Sequence, residues 1–320
     1  DRLLALWDDL SPDDQRDFGF DPRAVDWTSY IRETHLPSVV EHARVRTTPG
    51  GKTGEARETR LRRQVLAPER QLAAFDLENT LIASNVVASY SWLATRRLPN
   101  RDRVQFVANA LRSAPGWLAQ DRKDRSDFLR SFYRRYEGAP VEQLDEDAAE
   151  MFSQMLLAKS FPAAIRRVRE HRRLGHRTLL ITGALDFVVK PLEPLFDDIV
   201  CASLDVNPRT GRYRGELTEV PPTGESRAQA LYDYAERNDL DLAEAVAYAD
   251  STSDLPMLEV VGFPVAVNPE TRLAALARKR GWLVEHWSKA AGAPRRTVPI
   301  GVRRTSKGGL ANPLVPGRTA

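Results

Sequence analysis

The chain has 320 residues, with 47 Lys and Arg against 44 Asp and Glu, so it carries a net charge of only +3 and has length for about two domains. Apolar residues make up 42% and charged residues 28%, which excludes a disordered chain and leaves enough for a sizeable core. No window approaches 18 uninterrupted apolar residues, and the start, Asp1-Arg2 and a short Leu/Ala/Trp run, lacks the features of a signal peptide. A membrane span and secretion are therefore not expected, and the expected location is cytoplasmic. Cys201 is the sole cysteine, which rules out an intramolecular disulfide and a multi-cysteine zinc site and suits a reducing compartment. The chain begins with Asp1 rather than Met, as expected of a piece of a longer polypeptide.

Residues 1–68 read as an N-terminal segment and linker. They combine turn chemistry at Ser11-Pro12-Asp13-Asp14 and Asp21-Pro22, a short helix candidate from Trp27 to Glu33, and a Gly/Thr/Arg stretch from Arg44 to Arg63 that reads as linker. From Leu72 onward short apolar runs end in acidic or hydroxyl residues and alternate with helical periods. Strands are expected near 71–75, 178–182, 198–204, 245–249, 264–267 and 282–286. Helices are expected at 163–175, 187–196, 226–238, 255–261 and 270–280. This alternation predicts an α/β core, a mostly parallel sheet covered on both faces.

Between the first strand and the helix at 163 lie about ninety residues with helical periodicity throughout, too long for a simple crossover. Val104, Val107, Ala108 and Leu111 form one stripe; Phe128, Phe132 and Tyr136, then Leu144, Ala148, Met151 and Met155, form others. An inserted helical domain, about 86–161, is expected to bury these stripes as its core. Residues 288–320 are rich in Gly, Pro and basic side chains without an acid, and read as a disordered tail able to contact anionic surfaces by charge alone. No specific nucleic-acid motif is present.

Three strand ends carry the chemistry. The run Leu72 to Phe75 leads into Asp76-Leu77-Glu78-Asn79-Thr80-Leu81, the run Leu179 to Ile181 into Thr182-Gly183, and the run Ala245 to Ala249 into Asp250-Ser251-Thr252-Ser253-Asp254. Parallel packing brings such ends to one rim, where open α/β sheets bind ligands. An oxygen-only set of carboxylates and hydroxyls suits a hard hydrated cation such as Mg²⁺.

With these motifs in order, and with Gly224-Glu225-Ser226-Arg227 between the second and third, residues 70–287 resemble the haloacid dehalogenase superfamily, in its phosphoserine-phosphatase-like branch. The resemblance implies a Rossmann-like core with a helical cap, and a Mg²⁺-dependent phosphomonoesterase acting on a small phosphorylated metabolite. It assigns Asp76 as the nucleophile that becomes an aspartyl phosphate. It assigns Glu78 as the acid and base, its backbone carbonyl on the metal. Asp250 would join Asp76 on Mg²⁺ with Asp254 in support, while Thr182, Gly183 and Arg227 would hold the phosphoryl oxygens.

Two positions depart from the family. Glu78 stands where the family has Asp, and Arg227 where it has Lys, a swap that adds bulk and a planar fork. The pair of departures keeps a second expectation open, a catalytically weak module serving as a binding or regulatory part of a larger protein. Position 85, nine residues after the nucleophile, is Asn rather than the Glu that binds the ammonium of phosphoserine, which disfavours that substrate and makes Asn85 a candidate substrate contact. Arg96, Arg97, Arg134 and Arg135 are candidates either for attracting an anionic substrate or for a solvated helix face. Asp254 could also be the N-cap of the helix that follows it. The stretch from Asp13 to Pro37, with Phe-Asp-Pro-Arg and Asp-Trp-x-x-Tyr-Ile, faintly resembles the exit segment of reductase domains related to fatty acyl-CoA reductases, which would make the chain part of a larger lipid-related enzyme.

Overall fold

The computed structural model describes residues 2–21, 23–42, 57–290 and 300–301. The chain divides into two units, Asp1–Glu55 and Ala56–Ala320.

The first unit is helical: α1 (Arg2–Asp8), α2 (Pro12–Asp17), α3 (Trp27–Ser29), a π-helical turn over Tyr30–His35, and α4 (Leu36–His42). The Ser-Pro-Asp-Asp segment expected as a turn is instead a helix start. Ser11 Oγ accepts from Asp14 N at 3.2 Å and Pro12 opens the first turn, where its missing N–H costs nothing. Asp26 caps the next helix in the same way, accepting from Thr28 N and Ser29 N. Of the stretch read as linker, residues 43–56 lie outside the described residues, and Arg57–Val65 is helix α5 of the second unit.

The second unit is built on six parallel strands: β1 (Leu72–Phe75), β2 (Arg177–Leu185), β3 (Asp198–Ala202), β6 (Ala245–Ala249), β7 (Phe263–Val267) and β8 (Leu283–Glu285). Their spatial order is β3-β2-β1-β6-β7-β8. The chain moves outward from β1 in one direction and then returns to its other side, so β1 stands at the switch point where a crevice forms at the carboxyl ends. Alternate residues serve opposite faces: Ala73, Phe75, Leu180 and Tyr248 join one core cluster, while Leu72, Ala74, Leu179 and Ala247 join the other. Both faces are apolar because both are covered. Helices α12 (Glu225–Arg237), α13 (Leu255–Glu259) and α14 (Thr271–Arg280) cover the second, and α5 and α10 (Pro162–Arg173) help cover the first.

The first face holds a buried polar network under the rim. Tyr248 stacks on Phe75 at 4.4 Å, and its hydroxyl lies 2.7 Å from His171 Nε2 and 3.3 Å from Arg167. Burial holds the His171 imidazole far below its ordinary pKa, in the neutral form. Phe75 and Tyr248 lie one and two residues before Asp76 and Asp250, so this packing fixes the strand ends from which those carboxylates project.

The run 198–204 is two strands, not one. The chain leaves the sheet at Ser203, and β4 (Leu204–Asn207) pairs antiparallel with β5 (Arg212–Leu217). Gly211, at φ +63°, makes the turn. The expected helix 187–196 shortens to α11 (Asp186–Val189) and then tightens into a 3₁₀ segment, because Pro191 and Pro194 cannot donate α-helical hydrogen bonds.

Between β1 and α10 stand α6 (Val86–Arg96), α7 (Asn100–Lys123), α8 (Arg125–Tyr133) and α9 (Val141–Met151). Tyr90, Phe128, Phe132, Tyr136, Leu144, Ala148 and Met151 are buried among them. The stripe expected to bury on α7 does not: Val104 and Leu111 are 72% and 70% exposed. The aromatic face of that helix is turned inward instead, with Phe106 against Tyr90 and Trp117 against Phe132. Arg96 and Arg97 do not form a solvated face. Both bind Asp147, at 2.9 and 2.8 Å, and Asp147 is buried and needs such partners. Most of the stretch expected as a tail lies outside the described residues; Gly301 is buried on α6, donating to Thr95 Oγ1 at 2.9 Å.

Candidate active site

Directly after β1 the chain makes a tight loop. Asn79 adopts φ +56°, a conformation Asn tolerates better than most residues, and its N–H donates to Ile82 O at 2.7 Å. Asp76 and Glu78 thus stand two residues apart on one loop at the switch point. The register aligns Phe75 with Leu180 on one side and with Tyr248 on the other, so the segments after Ile181 and Ala249 rise beside the Asp76 loop.

Four of the expected residues meet. Carboxylate oxygens of Asp76, Asp250 and Asp254 lie within 4.8 Å of one another. Arg227, only 3% exposed, reaches them from the first turn of α12, with Nη1 2.9 Å from Asp76 Oδ1 and also bonded to Asp254. Its Nε donates to Pro222 O at 3.2 Å, which aims the guanidinium. A cation in a first helical turn opposes the helix dipole, and these two acids supply the anions that offset it. Asp254 makes no N-cap bond to α13; its side chain is committed to Arg227 and to the Ser251 hydroxyl, which donates at 2.9 Å.

Burial pushes Asp76 up to about 7; Arg227 pulls it down, and Asp254 and Glu78 push the same way as burial. Burial and the Asp76 charge push Asp250 up to about 8, while a hydrogen bond from Asn79 opposes them. Three carboxylates this close in a dry site disfavour full ionisation unless further positive charge joins Arg227. The donor set is all oxygen, with Ser251 and Asn79 around it, and fits a hard divalent cation of the Mg²⁺ type. On the side of Asp250 the site opens to a cleft of about 460 Å³ with a mixed lining, Asn79, Asn268, Glu270 and Lys289 beside Ala83, Phe161 and Trp287.

Thr182 and Gly183 sit on the adjacent strand end. Thr182 is buried, and its Oγ1 accepts from Ala184 N at 3.1 Å. A side chain at Gly183 would collide with Leu129 of α8, its Cβ falling 2.7 Å from Leu129 Cδ1, so glycine permits the close approach of the cap helix.

A sequence pattern for haloacid dehalogenase-like hydrolases matches residues 73–259. The chain belongs to that family. Relatives include the "inhibition of morphological differentiation protein" of Streptomyces azureus, 33% identical over 67% of this chain and 77% of that protein. A phosphoserine phosphatase of Mycobacterium tuberculosis is 30% identical over 74% of this chain and 77% of its own length. A histidinol-phosphatase of Neisseria meningitidis is 29% identical over 67% of this chain and 98% of its own. Among solved structures, a Bordetella pertussis protein of unknown function aligns with TM-score 0.58 at 23% identity, covering 68% of this chain and 98% of that one. A substrate-bound phosphoserine phosphatase aligns at 0.51 and 17%, covering 69% and 94%; these likenesses concern the fold.

In this hydrolase the cap supplies residues that motif spacing did not reveal. Arg125, at the start of α8, forms an ion pair with Glu78 and a second bond to Asp121 at 2.9 Å, and Glu78 drives its pKa upward. Tyr133 donates its hydroxyl to Gly183 O at 2.7 Å, tying the cap to the strand end. Asn85 is the N-cap of α6, its Oδ1 accepting from Ala88 N at 2.9 Å, so the side chain read as a substrate contact has a structural task. Among the described residues no helix is long and apolar enough to cross a membrane.

Proposed function

We propose that this hydrolase is a Mg²⁺-dependent phosphomonoesterase that works through an aspartyl phosphate on Asp76. The carrying observation is the convergence of Asp76, Arg227, Asp250 and Asp254 at the switch point, with Glu78 two residues after Asp76 on its loop and held by Arg125 of the cap. The phosphatase names of the relatives point the same way.

In the first step an Asp76 oxygen bonds to phosphorus as the ester P–O bond breaks, and Glu78, as general acid, delivers a proton to the leaving oxygen. In the second, Glu78, now a carboxylate, takes a proton from water as that water's oxygen bonds to phosphorus and the bond to Asp76 breaks. Arg227 lies where the equatorial phosphoryl oxygens gain charge, with the Thr182 hydroxyl as a neutral donor. Asp76, Asp250 and the Glu78 carbonyl are the residues to hold Mg²⁺, with Asp254 orienting the set. The ion supplies charge neutralisation at the phosphoryl group. Arg125 holds Glu78 on the cap side, where a leaving group must sit.

The test is a phosphatase screen over phosphorylated metabolites with and without Mg²⁺, with Asp76→Asn as the blank. Release of phosphate by wild type that is lost in Asp76→Asn and without the metal is the expected result. Equal release by both proteins would overturn the reading.

A further inference from the structure

The walls around Glu78 on the cap side are unusual for a site that handles a charged metabolite. Leu77, Ile82, Val86, Tyr136, Leu156 and Val188 form most of them, and Glu78 is the sole charged residue of the lining. Its charge is taken by Arg125. Of the polar groups nearby, Tyr133 donates to Gly183 O and Asn85 accepts from Ala88 N. Ser84 Oγ is buried without a protein partner, and it is neutral, as are the other polar side chains of the lining, Ser89 and Tyr136. Arg125 is shared by Glu78 and Asp121, so a second carboxylate on the leaving group would find no counter-charge here and would lose its hydration.

The free space in this cavity is about 20 Å³, room for about one water. A larger leaving group must continue elsewhere, and the structure provides one continuation. A groove of about 400 Å³ shares Asn85 and Val86 with the cavity and runs between α6 and α7, lined by Val87, Ala88, Ala114, Trp117, Leu118 and Phe128. Its charged residues, Asp121 and Arg125, are paired with each other. Leu118 is 51% exposed and lies in line with Leu111 and Val104, seven and fourteen residues earlier on the same helix face. The groove therefore leads from the acid onto an exposed apolar stripe about 20 Å long. This continuity with the site names the occupant as part of the substrate.

We infer that the cap groove binds the apolar portion of the leaving group, so that the substrates of this enzyme are phosphate monoesters of uncharged alcohols bearing an aliphatic chain. This deepens the phosphomonoesterase reading and rests on it. Ser84 can take a neutral oxygen close to the ester, and the chain lies along Val87, Ala114 and Leu118.

The experiment uses the full chain with Mg²⁺ and compares kcat/KM for ethyl, butyl, hexyl and octyl phosphate and for O-phosphoserine. Each methylene that enters the groove is expected to raise kcat/KM about fourfold, with O-phosphoserine below butyl phosphate. Ala114→Trp, which fills the groove at an exposed position, is expected to lower octyl phosphate kcat/KM at least tenfold more than ethyl phosphate kcat/KM. A flat dependence on chain length, a preference for O-phosphoserine, or equal loss on both esters in Ala114→Trp would overturn the inference. Calorimetric binding of ethyl and octyl phosphonate, which cannot be hydrolysed, separates the two readings. If no ester is hydrolysed, the phosphatase reading falls, while tighter binding of the octyl compound upholds the groove and equal binding ends it.

Discussion

At the rim of the sheet, Asp76, Arg227, Asp250 and Asp254 come from segments up to 178 residues apart and meet as a largely buried polar cluster. In the cap, by contrast, the residues facing the same carboxylate are aromatic and aliphatic, and their charges are paired among themselves. Glu78 belongs to both: its backbone sits in the rim loop and its side chain is held by Arg125 of the cap. The difference separates two tasks. The rim handles a phosphoryl group, common to every substrate of such a site, and the cap handles what the phosphate is attached to.

The largest expected effect tests the rim. Arg227→Met removes the cation between Asp76 and Asp254 and leaves buried carboxylates unpaired, a change expected to cost about 3–5 kcal/mol of folding stability. Mg²⁺ should recover part of that loss, because it brings positive charge to the same carboxylates. Denaturant unfolding with and without Mg²⁺ reads both effects. A loss under about 1 kcal/mol would mean that the cluster is not held together by Arg227.

The next effect sits at the junction. Glu78→Asp shortens the side chain by about 1.5 Å, pulls the carboxyl away from Arg125, and is expected to lower single-turnover hydrolysis of an aryl phosphate about 10²-fold. Glu78→Gln keeps the reach and loses the proton, so it should fall at least as far. If Glu78→Asp with Arg227→Lys instead gained tenfold or more, about 1.4 kcal/mol, the two departures from the family would be defects, and the weak-module expectation would replace the phosphomonoesterase reading.

The rim was legible in the sequence because a parallel sheet fixes where strand ends go, and each of Asp76, Thr182 and Asp250 directly follows an apolar run. Arg227 was legible as a misfit, a cation in the first turn of a helix. Arg125 was not, since nothing local marks one arginine among several on helices whose packing angles set which of them reaches Glu78. The stripe on α7 misled for a related reason. Helical periodicity shows that Val104 and Leu111 share a face but cannot say whether that face or the one bearing Phe106 and Trp117 turns inward. The hairpin of β4 and β5 was missed, with only Leu204 inside the expected strand 198–204, although Pro208 and Gly211 already signalled a turn there.

The smallest effect distinguishes rim from cap by pH. Burial raises Asp76 to about 7 and Asp250 to about 8, against about 3.9 for an Asp in the unfolded chain. An acid with a raised folded pKa contributes stability that is full below its unfolded value and is lost as pH rises through the folded one. Without Mg²⁺, this pair should therefore make the protein less stable as pH climbs from about 4 to 8. A bound cation must displace the same protons, so apparent Mg²⁺ affinity should rise about tenfold per pH unit for each proton displaced between pH 6 and 8. Isothermal titration of Mg²⁺ at pH 6, 7 and 8, for wild type and Asp250→Asn, checks this against groups elsewhere in the chain. The wild type should show the rise and the variant a weaker one, because one of the two titrating ligands is gone. Ala114→Trp changes only the cap groove and should reproduce the wild-type slope. A slope that follows the cap variant and ignores Asp250 would move the proton-linked binding out of the rim.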